Sequence, residues 1–402
     1  MNIYSEIGLL KTVLVHKPNI TLKYITPDNA EYLLFDDVLW TDLTIKEHDY
    51  FTDVLKEHGV NVLVVGDLLQ DILNKDNAKR WLLNNLTKKY YPSLFLEDIK
   101  NFLNQQNSYN FMSYITGGLT FEQLKCEKSK NNLISQVFKK NDFVLNPLPN
   151  HLFTRDTSCW IGNGVTLNSM CYPVRYNETI NIAAIYKFHP FFKNKNFDIW
   201  YDIISDKFLP SLEGGDILVL NKRTLLIGFS ERTTLLAIEI LAKKLFLSTT
   251  FNKIIVLNLP KKRSCIHLDT LLTMVDVNCF CSAIPDKLHT WIIQPGNKKN
   301  IHVSYSLNPK KEISQSFEDK NIRFIEIQGD FFSRKQEQWN DAANVLAISP
   351  GNVIAYNRNI NTNLALKKAG INVIEIPGSE LIRGRGGPRC MSCPIEREEI
   401  SL

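Results

Sequence analysis

The sequence is poor in the features that would sort it at once. Its 402 residues contain eight cysteines, at 126, 159, 171, 265, 279, 281, 390 and 393, too few for a disulfide scaffold. The single Cys-x-x-Cys, Cys390 to Cys393, has no second copy, and Cys279-x-Cys281 is badly spaced for tetrahedral zinc, so no metal site is expected. No stretch approaches about 18 uncharged apolar residues, which argues against a membrane-spanning helix. Charge of one sign is lacking too: 47 basic residues face 42 acidic ones, a net +5. No basic stripe interleaved with aromatics appears, so no nucleic-acid partner is expected. Near the N-terminus Glu6 and Lys11 interrupt the apolar stretch and no small-residue cleavage site follows, so a secretory signal is not expected. The expectation is a reduced cytoplasmic protein in which a special cysteine does chemistry rather than crosslinking.

What is present is repetition. Residues 55–65 read LKEHGVNVLVV and residues 366–376 read LKKAGINVIEI. In each, a helix end runs through a glycine into a β-branched run, with Gly59 and Gly370 as left-handed residues just past the helix. The second copy extends backwards through a Pro350-Gly351 turn between two strands. Residues 216–260 repeat the order: a hairpin across Asn221-Lys222, a helix from about Glu231 with Ser230 as a candidate cap, and a strand at 253–259. A looser copy has a strand at 11–16, a helix around 45–58 and a strand at 60–65. Another hairpin turns at Gly162-Asn163-Gly164. One β-β-α-β unit used several times predicts an array or a propeller. Residues 67–140 break this pattern. Leu68, Leu69, Ile72 and Leu73 have helical spacing, and Pro92 and Gly117-Gly118 divide the segment into four or five helices. It reads as a helical insertion.

Polar residues then collect where apolar runs end: NHLFTRD (150–156), YPVRYNE (172–178), EGGD (213–216), GFSERT (228–233) and IHLD (266–269). In a propeller such ends converge on one axis and would form a polar pocket. Cys390 follows RGRGGPR, and Arg383, Arg385 and Arg389 should ease its ionisation. His267 is a candidate proton shuttle. Asp269 lies two residues from it, on the same face if both sit on a strand. Glu213, Asp216 and Asp156 complete a set of acids. Acids around a thiol suit a flat cation that takes paired hydrogen bonds, such as a guanidinium.

Together with VLVHKP (13–18), YLLFDDVLW (32–40), MCYPVRYNET and the terminal RGRGGPRCMSCP, these segments resemble the arginine deiminases of the guanidino-group-modifying superfamily, from residue 11 to 394. The resemblance implies an α/β fold: a five-bladed pseudo-symmetric propeller of ββαβ modules, one catalytic domain over 1–402 with an inserted helical bundle at 67–140. It implies hydrolysis of L-arginine to L-citrulline and ammonia, the first step of arginine catabolism through the deiminase pathway, with no metal and no cofactor. Carried over by motif, Cys390 is the nucleophile and His267, Glu213, Asp156 and Asp269 are the other catalytic residues. Arg175 and Arg232 would bind the substrate carboxylate, and Asn150, Phe153, Asp216, Gly384 and Arg385 would complete the pocket. A homo-oligomer, dimer or tetramer, is expected. The rival readings are an amidinotransferase or dimethylarginine hydrolase on the same scaffold, and a non-catalytic arginine-binding protein.

Overall fold

The computed structural model describes residues 1–86, 96–124, 136–206, 208–297, 300–318 and 321–400. It is a mixed α/β structure in which one topology recurs. Strands Ser158–Ile161 and Gly164–Leu167 pair antiparallel, helix Tyr176–Phe188 follows, and strand Asp198–Asp202 returns parallel to the second. Strands Ile217–Val219 and Thr224–Phe229, helix Leu235–Ser248 and strand Lys253–Asn258 do the same. So do Leu272–Asp276, Cys279–Ser282 and Arg323–Glu326, with helix Pro309–Ser314 before the last strand. Leu346–Ser349, Asn352–Tyr356, helix Ile360–Lys368 and Asn372–Ile376 form a further copy. In the remaining unit the first strand comes from the far end of the chain. Cys393–Arg397 pairs antiparallel with Leu10–Val15, which is followed by helix Thr41–Glu57 and the parallel strand Asn61–Val64. That pairing carries Cys390 back to the start of the chain.

The repeated helix ends have a common cause. Gly59 and Gly370 hold φ of 76° and 90°. Val60 N–H donates to Leu55 O and Ile371 N–H to Leu366 O, both over five residues. This closure satisfies orphan carbonyls and requires a left-handed residue that glycine supplies without strain. Each helix therefore stops three residues before the strand that follows it.

The segment after Asn61–Val64 is helical, with Val65–Leu73, Asp76–Leu86, Leu96–Asn104 and Ser108–Gly117. Leu68, Leu69, Ile72 and Leu73 are all buried, in one core with helix Tyr176–Phe188. Burying each such side chain is worth about 1.5–3 kcal/mol. Gly118, at φ 86°, ends the Ser108–Gly117 helix, while the expected break at Pro92 lies outside the described residues.

Two expectations fail locally. Helix Leu235–Ser248 starts four residues later than Glu231, because Ser230 Oγ accepts from the backbone of Arg232 and Thr233 and makes a turn; Thr234 is the cap. His267 and Asp269 do not share a strand. His267 is extended, and Leu268–Thr270 is a single 3₁₀ turn that sends the two side chains to different partners.

Candidate functional site

Short 3₁₀ and α turns, rather than strands, aim the polar side chains. Asp156 sits in Thr154–Thr157, Asn150 in Pro149–Leu152, Arg175 in Pro173–Arg175, and Asp216 in Gly214–Asp216 just after Glu213. Gly215 lets two of these turns approach: a Cβ there would lie 2.8 Å from the His267 ring and 2.9 Å from Asp156 Oδ1. Gly386 does the same for the cysteine loop, where a Cβ would lie 2.3 Å from the Phe153 ring.

These turns converge. A cavity of about 20 Å³ is lined by Asn150, Phe153, Asp156, Arg175, Arg232, His267, Gly384, Arg385 and Cys390. Glu213, Asp216 and Asp269 stand directly behind it, each fully buried. A much larger cavity of about 790 Å³ lies beside it, bounded by Tyr32, Tyr172 and Glu231. It contains neither the thiol nor the imidazole, so it is an approach rather than the site. Leu34 and Arg263 line both cavities. Arg263 fixes this partition by donating to both Asp36 carboxylate oxygens and to Leu34 O.

At the centre, His267 Nε2 is 2.8 Å from Glu213 Oε2, and its Nδ1 is 3.7 Å from Asp156 Oδ1. Burial opposes the charged ring, but Asp156, Glu213 and Asp216 outweigh it and push its pKa up to about 9. Glu213 responds in kind. Burial would raise it, yet Arg232, His267 and Arg175 hold it down to about 2. The pair is an imidazolium–carboxylate at neutral pH. Asp216 sits in the next layer, its oxygens accepting from Leu268 N–H and Ser230 Oγ; burial lifts it to about 7.

Cys390 Sγ lies 3.7 and 3.8 Å from the Asp269 oxygens. Its thiol is pushed well above the ordinary value, by burial first and then by Asp269, Asp156 and Asp341. The expectation that Arg383, Arg385 and Arg389 ease its ionisation is therefore reversed. Arg389 pairs with Asp269 and Glu6. Arg383 faces Asp37 and Glu380 at the surface. Arg385 lies 3.7 Å over the Trp339 ring and 3.8 Å from Asp341.

The two arginines expected at a substrate carboxylate are held by acids. Arg175 donates to Asp156 at 2.7 Å and to Glu178 through two nitrogens, and lies 3.7 Å from Glu213. Arg232 reaches Glu213 at 3.4 Å, with the Tyr172 ring over its guanidinium. Asn150 donates to Leu33 O at 2.6 Å and so ties the 26–40 segment to the site. Asp156 Oδ1 is buried with no hydrogen-bond partner among the described residues, and Asp156 lines the cavity.

Asp156, Glu213 and His267 place ligand-type atoms within 4.8 Å of one another, a set that could hold a metal ion. The raised pKa of His267 works against this, since an imidazolium cannot ligate. The guanidinium of Arg175 already faces both acids.

Sequence reading missed three residues here. Glu178 holds Arg175, Asp341 pairs with Arg385, and Asn344 touches the thiol. Glu178 was within reach, three residues beyond Arg175 in a quoted motif. Asn344 sits in DAANVLAI, 46 residues from Cys390, and nothing local marks it.

The architecture has solved counterparts. SxtG, an amidinotransferase from Microseira wollei in saxitoxin biosynthesis, matches with a TM-score of 0.55 at 15% identity, covering 100% of this chain and 98% of that one. A citrulline complex of a cysteine mutant of DDAH from Pseudomonas aeruginosa gives 0.52 at 17%, covering 96% and 99%. The N-terminal domain of ArgZ, an arginine dihydrolase from the ornithine–ammonia cycle in cyanobacteria, gives 0.56 at 14%, covering 96% and 98%. Unliganded AgrE gives 0.55 at 15%; 96% of this chain matches, but that spans 40% of AgrE. The fold is thus that of the guanidino-modifying enzymes. The arginine deiminase family model matches residues 31–397, and the chain belongs to that family. That family is named for arginine deimination, and the SxtG counterpart is an amidinotransferase. No helix among the described residues is long and apolar enough to cross a membrane.

Proposed function

We propose that this protein is an arginine deiminase, hydrolysing L-arginine to L-citrulline and ammonia through a covalent adduct on Cys390. The observation that carries this reading is the thiol beside Asp269, with Asp156 and the Glu213–His267 pair completing an acid cage. Such a cage attracts a guanidinium and disfavours a thiolate until one arrives. A substrate cation between Asp156 and Asp269 cancels the charges that hold the thiol protonated, and the thiol proton leaves as the cation binds. Sγ then attacks the guanidino carbon and forms the S–C bond. His267, already an imidazolium, gives its proton to the departing nitrogen, and the C–N bond breaks. The neutral imidazole takes a proton from water as its oxygen bonds to the carbon. The S–C bond breaks, the carbinol O–H gives up its proton and citrulline leaves; the thiolate regains from solvent the proton it lost on binding, and the ammonia already released becomes ammonium.

In this reading Arg175 and Arg232 exchange part of their acid contacts for the substrate carboxylate, and Asn150, Phe153, Asp216, Gly384 and Arg385 shape the pocket. No metal or organic cofactor takes part. The five ββαβ units form a pseudo-five-fold propeller as one domain, with residues 67–140 as a helical insertion. Homo-oligomeric assembly in the cytoplasm and a place at the head of arginine catabolism complete the proposal.

The test is product identity. Arginine alone should yield citrulline and ammonia, and Cys390→Ser should abolish turnover while retaining arginine binding. Amidino transfer to an added amine without citrulline release would assign an amidinotransferase. Binding without any turnover by the wild type would assign a non-catalytic protein.

A further inference from the structure

The mechanism requires a thiolate in a place where burial and three acids oppose one. Asn344 is built into the same spot. Its side chain is fully buried. Its Oδ1 accepts the Cys390 backbone N–H at 3.1 Å. Its Nδ2 donates to Asp269 O at 3.1 Å and reaches Cys390 Sγ at 3.1 Å. These contacts set the amide's orientation. A flipped group would point its N–H₂ at the cysteine N–H and its oxygen at the Asp269 carbonyl, so both backbone contacts would turn repulsive. One Nδ2 hydrogen goes to that carbonyl, and the second is left for the sulfur. The room for this arrangement comes from Gly387, where a Cβ would lie 2.6 Å from Asn344 Oδ1.

We propose that Asn344 is a catalytic residue of this site: its Nδ2–H stabilises the Cys390 thiolate directly, while its Oδ1 fixes the cysteine backbone. The proposal rests on Cys390 being the nucleophile. A hydrogen bond to a charged acceptor is stronger than one to a neutral thiol, so the amide favours the ionised sulfur. Among the groups that face Sγ, Asp269, Asp156 and Asp341 oppose ionisation and the Gly387 backbone N–H assists it. Asn344 adds a side-chain donor on the assisting side.

The test uses the full-length protein and two variants, Asn344→Ala and the near-isosteric Asn344→Asp. Two readouts are taken. The first is thiolate absorbance against pH, each protein referenced to its Cys390→Ser counterpart. The second is the single-turnover rate of adduct formation on Cys390 with arginine. For Asn344→Ala the thiolate midpoint should rise by about one pH unit and adduct formation should slow about tenfold or more, with KM within about twofold. Asn344→Asp, which points a carboxylate at the sulfur, should raise the midpoint further. Should either variant fold with an unchanged thiolate midpoint and adduct rate, the proposal is overturned and Asn344 is merely structural. Absence of an adduct in the wild type would instead remove the covalent reading, while the absorbance titration would still decide whether Asn344 stabilises the thiolate.

Discussion

Two groups of buried imidazoles in this protein titrate in opposite directions. His267 is 4% exposed and its pKa is pushed up to about 9. His16 is 3% exposed and is pushed down to about 4; His48, on the Thr41–Glu57 helix, goes to about 3. His151, stacked on His16 at 4.7 Å, also falls well below its ordinary value. Burial is nearly equal, so it does not decide the outcome. The neighbours do. His267 has Glu213 at 2.8 Å and Asp156 at 3.7 Å. Both ring nitrogens of His16 and His48, and Nδ1 of His151, have no hydrogen-bond partner among the described residues. One region charges an imidazole for proton transfer; the other keeps three neutral as packing groups.

The opposed shifts have opposed consequences for stability. His267, with a raised folded pKa, adds stability that is complete below about pH 6.5 and is lost as pH rises through about 9. The three depressed histidines act the other way. Stability is complete above about pH 6.5 and is lost as pH falls towards about 4 for His16 and about 3 for His48.

The most damaging way to break this contrast is Glu213→Gln. Without that charge the His267 pKa should fall back towards its ordinary value. At neutral pH kcat should drop about 10²–10⁴-fold, the usual worth of a positioned acid–base group. Ring NMR titration and initial rates check both. Gly215→Ala should cost less, up to about 10²-fold in kcat, because its methyl displaces the His267 ring and Asp156 without removing either. A folded variant with wild-type kcat would show that this close approach does not matter.

On the other side, His16→Phe should remove about 3 kcal/mol of acid sensitivity, the worth of its fall from 6.5 to about 4. Denaturant unfolding at pH 7 and at about pH 4 should show a smaller difference for the variant than for the wild type. Asn181→Asp sharpens the contrast with the smallest change. Asn181 Nδ2 is 3.3 Å from His151 Nε2, so a carboxylate there should raise the His151 pKa towards that of His267. A His151 that stays neutral beside the introduced carboxylate would mean that burial, rather than neighbours, governs both groups.

The same distinction explains what could be read from the sequence. The repeat was legible at Gly59 and Gly370 because helix closure is a local event, written within six residues. The buried run Leu68, Leu69, Ile72 and Leu73 was legible for the same reason, through its periodicity. The motif acids were legible as a set. What they do to the thiol was not, because a count of nearby arginines ignores their partners. Arg389 is taken by Glu6, 383 residues away, and by Asp269. The turns at 154–157, 214–216 and 268–270 looked like strand ends because three or four residues show no period. Asn344 gave no signal, since its contacts cross between units of the fold.

The central claim is that the acid cage exists to deliver a guanidino carbon to Cys390. Protein quenched during turnover with arginine and analysed by peptide mass spectrometry tests it most directly. The account predicts an adduct of arginine less ammonia on Cys390, absent in Cys390→Ser. Steady citrulline production with no adduct, or an adduct placed on Cys393, would contradict it.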